Sequence, residues 1–291
     1  MSIDSGRLSE QFIKRFNKQP VLYRAPGRVN IIGEHTDYND GYVMPMNTAV
    51  FTWVAAAPRN DRQVQVHSVL FDETFEFNLD DLQPGGAPAW AEYAKGVAFA
   101  LQAAGYGLTG ADLMIDGEIP LGGGLSSSAS LEAVIGVALL GSSGLEADPM
   151  ELALMCQRAE HEFAGVPCGI MDQAVITTCP EGHAMKLDCR SLRPEFIPLP
   201  EDLCLLVIDS GVKHQLSDGG YKQRREECDF AIALLSAKEE GVSSYRDINP
   251  GMVDRYQAEL GELPLRRARH VVSETQRVRD AVKAIAGNDL A

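Results

Sequence analysis

Long apolar runs are missing from this chain of 291 residues. The longest, residues 49–57, has nine residues and includes Thr52, far short of the roughly 20 that a membrane-spanning helix needs. Positive charge is scarce: 26 Lys and Arg stand against 41 Asp and Glu, for a net charge of −15 and a pI near 4.8. Such a surface repels phosphate backbones and anionic lipid, so neither nucleic acid nor a membrane is an expected partner. Small anionic ligands stay open, because local groups can hold them. Paired cysteines are absent too. Cys156, Cys168, Cys179, Cys189, Cys204 and Cys228 stand ten or more residues apart, with no Cys-x-x-Cys. That spacing predicts reduced thiols, mostly small core residues, and speaks against a zinc site. The N-terminal stretch MSIDSGRLSEQFIKRFNKQP has charges throughout and no apolar h-region, so a secretory leader is not expected and a cytoplasmic location is. There is no internal repeat and no low-complexity linker.

What is present is ordinary globular material, 45% hydrophobic and 23% charged. It suffices for a core and, at this length, suggests two domains. Residues 7–18 pattern as a short amphipathic helix. Strands are predicted at residues 21–23, 29–32, 48–57 and 64–70, with a polar, turn-rich loop at 33–41. Trp90, Tyr93, Ala94, Val97, Ala98 and Leu101 recur at helical spacing, and Gly105 is the stop. A strand at 111–119 leads through a Gly/Ser loop, 121–128, into an apolar helix ending near Leu140. Pro149 opens a further helix to about Phe163. Residues 184–208 return to strand, with 203–208 expected to be buried. From about Ser217 the chain reads as helix, with Val271, Thr275, Val278 and Ala281 on one face. The long β block before the helices points to α+β rather than a doubly wound sheet. Pro194, Pro198 and Pro200 mark a weak boundary, giving expected domains of residues 1–190 and 191–291.

Three features carry chemistry. Pro120-Leu-Gly-Gly-Gly-Leu-Ser-Ser-Ser-Ala129 lies between a predicted strand and a predicted helix. Its glycines let the backbone approach a ligand and adopt positive φ. Its serines begin a helix whose free N–H groups and dipole favour an anion. There is no Gly-Lys-Ser/Thr, so it is not a Walker A loop. A flexible turn with an ordinary Ser cap is the plain alternative, and composition leaves the two even. The next helix carries Glu151, Glu160 and Glu162. The last two face different sides, and spacing alone makes each a solvated helix charge. Asp172 stands among Ile170, Met171, Ala174, Val175 and Ile176. A carboxylate in such company is costly unless paired. It is either a helix cap, which spacing slightly favours, or a catalytic acid.

Arg24-Ala-Pro-Gly-Arg-Val-Asn-Ile-Ile-Gly-Glu-His-Thr-Asp-Tyr-Asn-Asp-Gly-Tyr-Val-Met-Pro45 closely resembles the galactokinase signature. The Gly/Ser loop resembles the second motif of the GHMP kinases, the galacto-, homoserine, mevalonate and phosphomevalonate kinases. Cys168-Gly-Ile-Met-Asp-Gln173, Leu187-Asp-Cys-Arg-Ser-Leu192, Tyr221 with Arg224-Arg225-Glu226, and the stretch from His270 to Arg277 agree with it. The resemblance implies a GHMP kinase fold: an N-terminal ribosomal-protein-S5-like domain and an incomplete, ferredoxin-like C-terminal α+β domain. It implies transfer of the γ-phosphoryl of ATP to the anomeric hydroxyl of galactose, with Mg²⁺. By matching positions, Asp172 is the implied catalytic acid and Arg28 its partner. Glu34, His35, Thr36, Asp37, Gly169 and Tyr221 are the implied sugar contacts. Gly122, Gly123, Gly124, Leu125, Ser126, Ser127 and Ser128 form the implied nucleotide loop, and Ser128 with Glu160 the implied metal pair. Ser68 and Trp53 fall in the region of the implied adenine pocket. A monomer or weak homodimer is expected.

Two departures stand out. Family members usually read Ala-Ile-Asp where this chain has Asn47-Thr48-Ala49. The third family motif, a Gly-rich loop near the C-terminus, is not found before Ala291, so a fragment or a naturally short homologue is expected. Rival readings are a kinase for N-acetylgalactosamine or another related sugar, a non-catalytic galactose sensor, and an inactive truncated product. The intact Ser126-Ser127-Ser128-Ala129, with Asp172 and Arg28, ranks the sensor low.

Overall fold

The computed structural model describes residues 4–200, 202–208 and 220–287, apart from the side chain of Tyr221. In chain order the elements are α1 (Ser5–Phe16), β1 (Val21–Ile32), β2 (Tyr42–Pro58), β3 (Gln63–Ser68), β4 (Glu73–Asn78), α2 (Ala89–Ala103), β5 (Ala111–Gly117), α3 (Ser127–Ser142) and α4 (Pro149–Ala159). A π-helical turn, Glu160–Ala164, follows, then α5 (Met171–Thr178), β6 (His183–Asp188), β7 (Arg193–Pro198), α6 (Gly220–Lys238), α7 (Pro250–Arg255), α8 (Gln257–Leu260) and α9 (Glu262–Ala286). No helix among the described residues is long and apolar enough to cross a membrane.

The chain forms two compact units that interleave in sequence. One comprises the residues up to Val29, Asn47–Cys168 and Asp172–Thr178. The other comprises Asn30–Met46, Gly169–Met171 and the residues from Cys179 onward.

In the first unit the strand order is β4-β3-β5-β2. β3 and β5 run parallel and the other pairs antiparallel. α2, α3 and α4 pack on one another through Val97, Leu101, Ile135, Leu139 and Leu152, all buried. α1 starts at Asp4, whose carboxylate accepts from the N–H groups of Gly6 and Arg7, and it ends at left-handed Asn17. Leu8 and Phe12, one turn apart, bury against Ala55, Ala57 and Met114. β1 runs unbroken through Pro26 and Gly27, where two short strands are predicted. It pairs with β2 alone, and a strand with one partner needs ladder donors only on alternate residues.

In the second unit the first half of β2 pairs with β6, and β6 with β7, both antiparallel. Cys228, Ala231 and Leu235 of α6 pack with Ala268 and Val271 of α9 and with Tyr245, Ile248 and Val253. Val278 of α9 joins Met44 and Ala184. The predicted helical face of α9 thus forms as read. Residues 203–208 do not: they adopt no regular element, and Leu206 and Ile208 are 81% and 78% exposed. A short apolar run carries no information about a partner strand, and none of the described strands pairs with it.

Leu139, fully buried in α3, tests the first unit's core. Leu139→Ala is expected to lower unfolding free energy by about 2–5 kcal/mol in urea denaturation.

Candidate active site

In the first unit, the Gly/Ser loop turns through left-handed Gly122, Gly124 and Ser126 (φ 71°, 74° and 56°). A Cβ on Gly122 or Gly124 would meet nothing, so these glycines serve backbone conformation rather than close packing. Ser126 precedes α3 but its side chain caps nothing. The ordinary Ser cap is therefore not what the sequence encodes here. The first N–H groups of α3 lie in its opening turn, where helix geometry leaves them without intrahelical partners and favours an anion.

The Ser126 hydroxyl instead donates to Asp172 Oδ2 at 2.5 Å. Arg28 meets the same carboxylate as a fork, with Nε to Oδ1 and Nη2 to Oδ2 both at 2.6 Å. Its Nη1 donates to Gly124 O at 2.8 Å, and its backbone N–H to Leu125 O at 3.1 Å. One arginine on β1 thus fixes the phosphate loop and the acid of α5 together. Asp172 lies in the first turn of α5, yet its carboxylate is engaged by Arg28 and Ser126. The cap that spacing favours is replaced by an ion pair. Gly27 permits the approach, since a Cβ there would lie 2.9 Å from Leu125 O.

Glu160 is only 3% exposed. It accepts from Gln173 Nε2 at 2.6 Å and from Cys168 Sγ at 3.3 Å. Burial pushes its carboxyl above the ordinary value; bonds from Cys168, Ser128 and Gln173 oppose this, and the Asp172 charge adds to it. Glu162 is exposed and pairs with Arg158. The break from α4 into a π-helical turn sets the two acids apart. Glu132 of α3 is fully buried, and burial followed by the Glu160 charge raises its carboxyl far above the ordinary value. It accepts the other Gln173 Nε2 proton at 3.1 Å. A buried carboxylate with a serine hydroxyl beside it supplies hard oxygen donors, which suit a small divalent cation. Among the described residues no cluster of three or more His, Cys, Asp or Glu could hold a metal. The remaining ligands would then come from phosphate and water, the usual state of Mg²⁺.

A cavity of about 250 Å³ opens beside Ser127 and Ser128. Phe71 and Trp90, stacked on each other with ring centroids 6.3 Å apart, line it together with Ser68, Tyr93 and Leu131. Apolar walls next to a helix N-terminus suit a flat aromatic base with phosphates attached. Ser68 lies where the resemblance implies. Trp53 does not line the cavity: strand alternation turns it from Thr52, which does, toward Leu8 and Phe12.

In the second unit, residues 33–41 form a tight polar loop. Gly33 (φ 103°) could not carry a Cβ, which would sit 2.7 Å from Tyr42 O. Thr36 is fully buried, with its hydroxyl on Gly33 O (2.8 Å) and Tyr42 O (2.7 Å). It braces the loop and offers no exposed hydroxyl. His35 Nε2 faces Arg224 Nη1 at 3.2 Å, and Nδ1 faces Tyr38 Oη at 2.8 Å. Arginine can only donate, so Nε2 is the acceptor and Nδ1–H donates to Tyr38. Burial, then the charges of Arg224, His270 and Arg267, lower the imidazole pKa to about 4, so His35 is neutral at pH 7. Glu34 is exposed and accepts from Asn30 Nδ2 at 2.8 Å. Asp37 lies against Gly169: a Cβ there would fall 1.8 Å from Asp37 Oδ2. Only glycine at 169 permits that approach. The Tyr221 side chain lies outside the described residues.

Sequence reasoning gave no role to five participants. Glu132 could have been noticed as the one acid inside the apolar run 129–140. Gln173 closes the stretch quoted from Cys168, which assigns it no role, and the Phe71–Trp90 stack carries no local signal. Glu274 of α9 is 6% exposed, and its Oε1 accepts from Gly33 N (2.9 Å) and Glu34 N (3.1 Å). His270 Nε2 bonds Glu34 O at 2.8 Å.

The phosphate loop, the acid forked to its arginine and the mixed sheet define a GHMP-type kinase. The GHMP kinase N-terminal domain matches residues 92–179. A mevalonate kinase shares the fold, with TM-score 0.54 over 90% of this chain and 72% of that one at 16% identity. The galactokinase galactose-binding signature matches residues 10–58. The galactokinase of Roseiflexus sp. (strain RS-1) is 42% identical over 99% of this chain and 74% of its own length. That of Chloroflexus aurantiacus is 44% identical over 96% and 72%. Lactococcus lactis galactokinase, solved in complex with galactose, superposes with TM-score 0.90 at 33% identity, covering 98% of this chain and 75% of that one. The chain belongs to the galactokinase family, whose members are ATP-dependent sugar kinases acting with a divalent metal.

Glu274 offers a pH test of the loop. Burial raises its carboxyl, but the N–H groups of Gly33 and Glu34 and the Arg277 guanidinium outweigh burial and hold it below the ordinary value. Its contribution to stability is therefore complete above the unfolded pKa of about 4.3 and is lost as pH falls through the depressed folded value. The melting temperature of Glu274→Gln should fall below wild type at pH 7, and the gap should close on acidification below that pKa. A gap constant with pH contradicts this.

Proposed function

We propose that this chain transfers the γ-phosphoryl group of ATP to the anomeric hydroxyl of galactose, giving galactose 1-phosphate and ADP. The observation that carries the reading is the Arg28–Asp172 fork, closed on the phosphate loop through Gly124 O and Ser126 Oγ. A fork of this kind holds an acid in one orientation and keeps a guanidinium beside the place where phosphate charge develops.

Asp172 orients the sugar hydroxyl and accepts its proton as the bond to phosphorus forms. In a loose phosphoryl transition state that proton leaves late, so a carboxylate suffices and position matters most. Arg28 stabilises the transferred group. The N–H groups and hydroxyls from Gly122 to Ser128 hold the phosphates, and the Phe71–Trp90 slot with Ser68 takes the base. Ser128 and Glu160 would hold Mg²⁺, which would supply positive charge against the phosphates. In the second unit Glu34 and Asp37, with the backbone at Gly169 and the side chain of Tyr221, read the sugar hydroxyls. His35 and Thr36 keep that loop in shape, His35 with its neutral ring. Every residue assigned here except Tyr221 falls within residues 1–190, the proposed sugar- and ATP-binding domain. A cytoplasmic monomer or weak homodimer completes the proposal.

The test is ADP release from Mg-ATP with a sugar panel that includes galactose and N-acetylgalactosamine. Turnover with galactose alone supports the reading. Turnover with N-acetylgalactosamine alone assigns the other sugar, and galactose binding without turnover makes the chain a sensor. Asp172→Asn should lower kcat by about 100-fold or more and leave galactose Kd within a few-fold; equal losses in both refute its role as proton acceptor. Asp37→Ala should weaken galactose binding by about tenfold or more, as loss of a charged hydrogen-bond acceptor does. Unchanged affinity removes it from the sugar site.

A further inference from the structure

The amide of Gln173 spends both of its protons on two acids from different elements, Glu160 Oε2 at 2.6 Å and Glu132 Oε2 at 3.1 Å. All three side chains are buried, with Glu132 and Gln173 fully so. Glu132 lies one helical turn beyond Ser128 and so shares its face of α3. Gln173 follows Asp172 directly in α5, and Glu160 opens the π-helical turn. The bridge therefore links the loop-bearing helix, the helix of the acid and the turn carrying the implied metal ligand.

Its energetics are those of a device for placement. Glu132 Oε1 and Gln173 Oε1 find no hydrogen-bond partner among the described residues. A buried polar atom without a partner costs about 1–3 kcal/mol, and apolar residues of similar volume in place of buried polar clusters are often neutral or stabilising. Packing alone would favour methionine or leucine at 132, in a helix whose neighbours Ala129, Ala133, Val134 and Ile135 are all buried. The acid is retained at a cost in stability, and its hydrogen bond among the described residues leads through Gln173 to Glu160.

We propose that Glu132 is a positioning residue for the divalent cation of the phosphoryl transfer, acting through the Gln173 amide to hold the Glu160 carboxylate in its ligating orientation. This deepens the kinase reading above and rests on it. Glu132 touches neither substrate nor metal. It accepts the second amide proton, which fixes the amide plane and with it the direction of the first. A residue that accepts the same proton should replace it, and an apolar residue should not. Any acceptor oxygen at this place suffices, so glutamine is the conservative substitute.

The experiment is calorimetric titration of ADP into wild type, Glu132→Met, Glu132→Gln and Gln173→Leu, each with Mg²⁺ and with chelator, melting temperatures read alongside. In Glu132→Met and Gln173→Leu, the gain in ADP affinity that Mg²⁺ confers should shrink by about tenfold, the effect of loosening one charged ligand. ADP affinity in chelator should stay within about twofold of wild type, a change below one hydrogen bond. Glu132→Gln should recover the gain. The proposal is overturned if both apolar variants keep the full gain, or if they lose ADP affinity equally with and without metal. It is overturned as well if Glu132→Gln behaves like Glu132→Met, or if both apolar variants fail to fold, which would assign the bridge to the core instead. A wild type whose ADP affinity ignores Mg²⁺ would refute the kinase reading itself, before any variant is compared.

Discussion

Arg28 and Asp172 meet through two parallel hydrogen bonds, and that fork joins residues 144 positions apart in the chain. The Gly/Ser loop takes its place from it. Arg28 also closes on Gly124 O and Leu125 O, so the residue that orients the acid shapes the phosphate loop as well. Lysine could not do this, because an ammonium has no planar fork to serve a carboxylate and a carbonyl at once. Removing either charge would leave its partner half-buried and uncompensated, a larger loss than the pair's net gain. The arrangement is therefore all or none, which suits a reaction governed by position.

The second unit solves a similar problem with different groups. The loop of residues 33–41 is held through its backbone. Thr36 spends its hydroxyl on two loop carbonyls, and Glu274 collects two backbone N–H groups from α9. His270 holds the Glu34 carbonyl. Gly33 and Gly169 supply what side chains would obstruct, a left-handed turn and a close approach by Asp37. Stillness here comes from hydrogen bonds to the loop backbone, which fix where the side chains of Glu34 and Asp37 start.

The buried acids of the first unit show the same exchange of stability for placement. Glu132, Gln173 and Glu160 put polar atoms into a region that Ala133, Val134 and Ile135 would fill more cheaply. Functional sites commonly carry such costs against the surrounding core. In this unit the core is large enough to bear them: three helices bury Val97, Leu101, Ile135, Leu139 and Leu152 against one another.

By itself the sequence determined whatever is local. The period of the apolar positions placed α2, α9 and most strands, and the glycines of residues 122–124 announced a backbone of positive φ. The quoted motifs announced the family. Tertiary structure decided the rest. It joined Asp172 to Arg28, as the resemblance implied and spacing alone did not, used the Thr36 hydroxyl to brace its loop, and turned Trp53 away from the cavity lined by Phe71 and Trp90. It left residues 203–208 without the buried strand their composition suggested. It also gave contacts to Glu132, Gln173 and Glu274, to which the quoted stretches assigned no role. The reason is physical. Propensity and periodicity act between neighbours along the chain, whereas a carboxylate's role depends on which donors reach it through space. Those donors come from segments that only folding brings together.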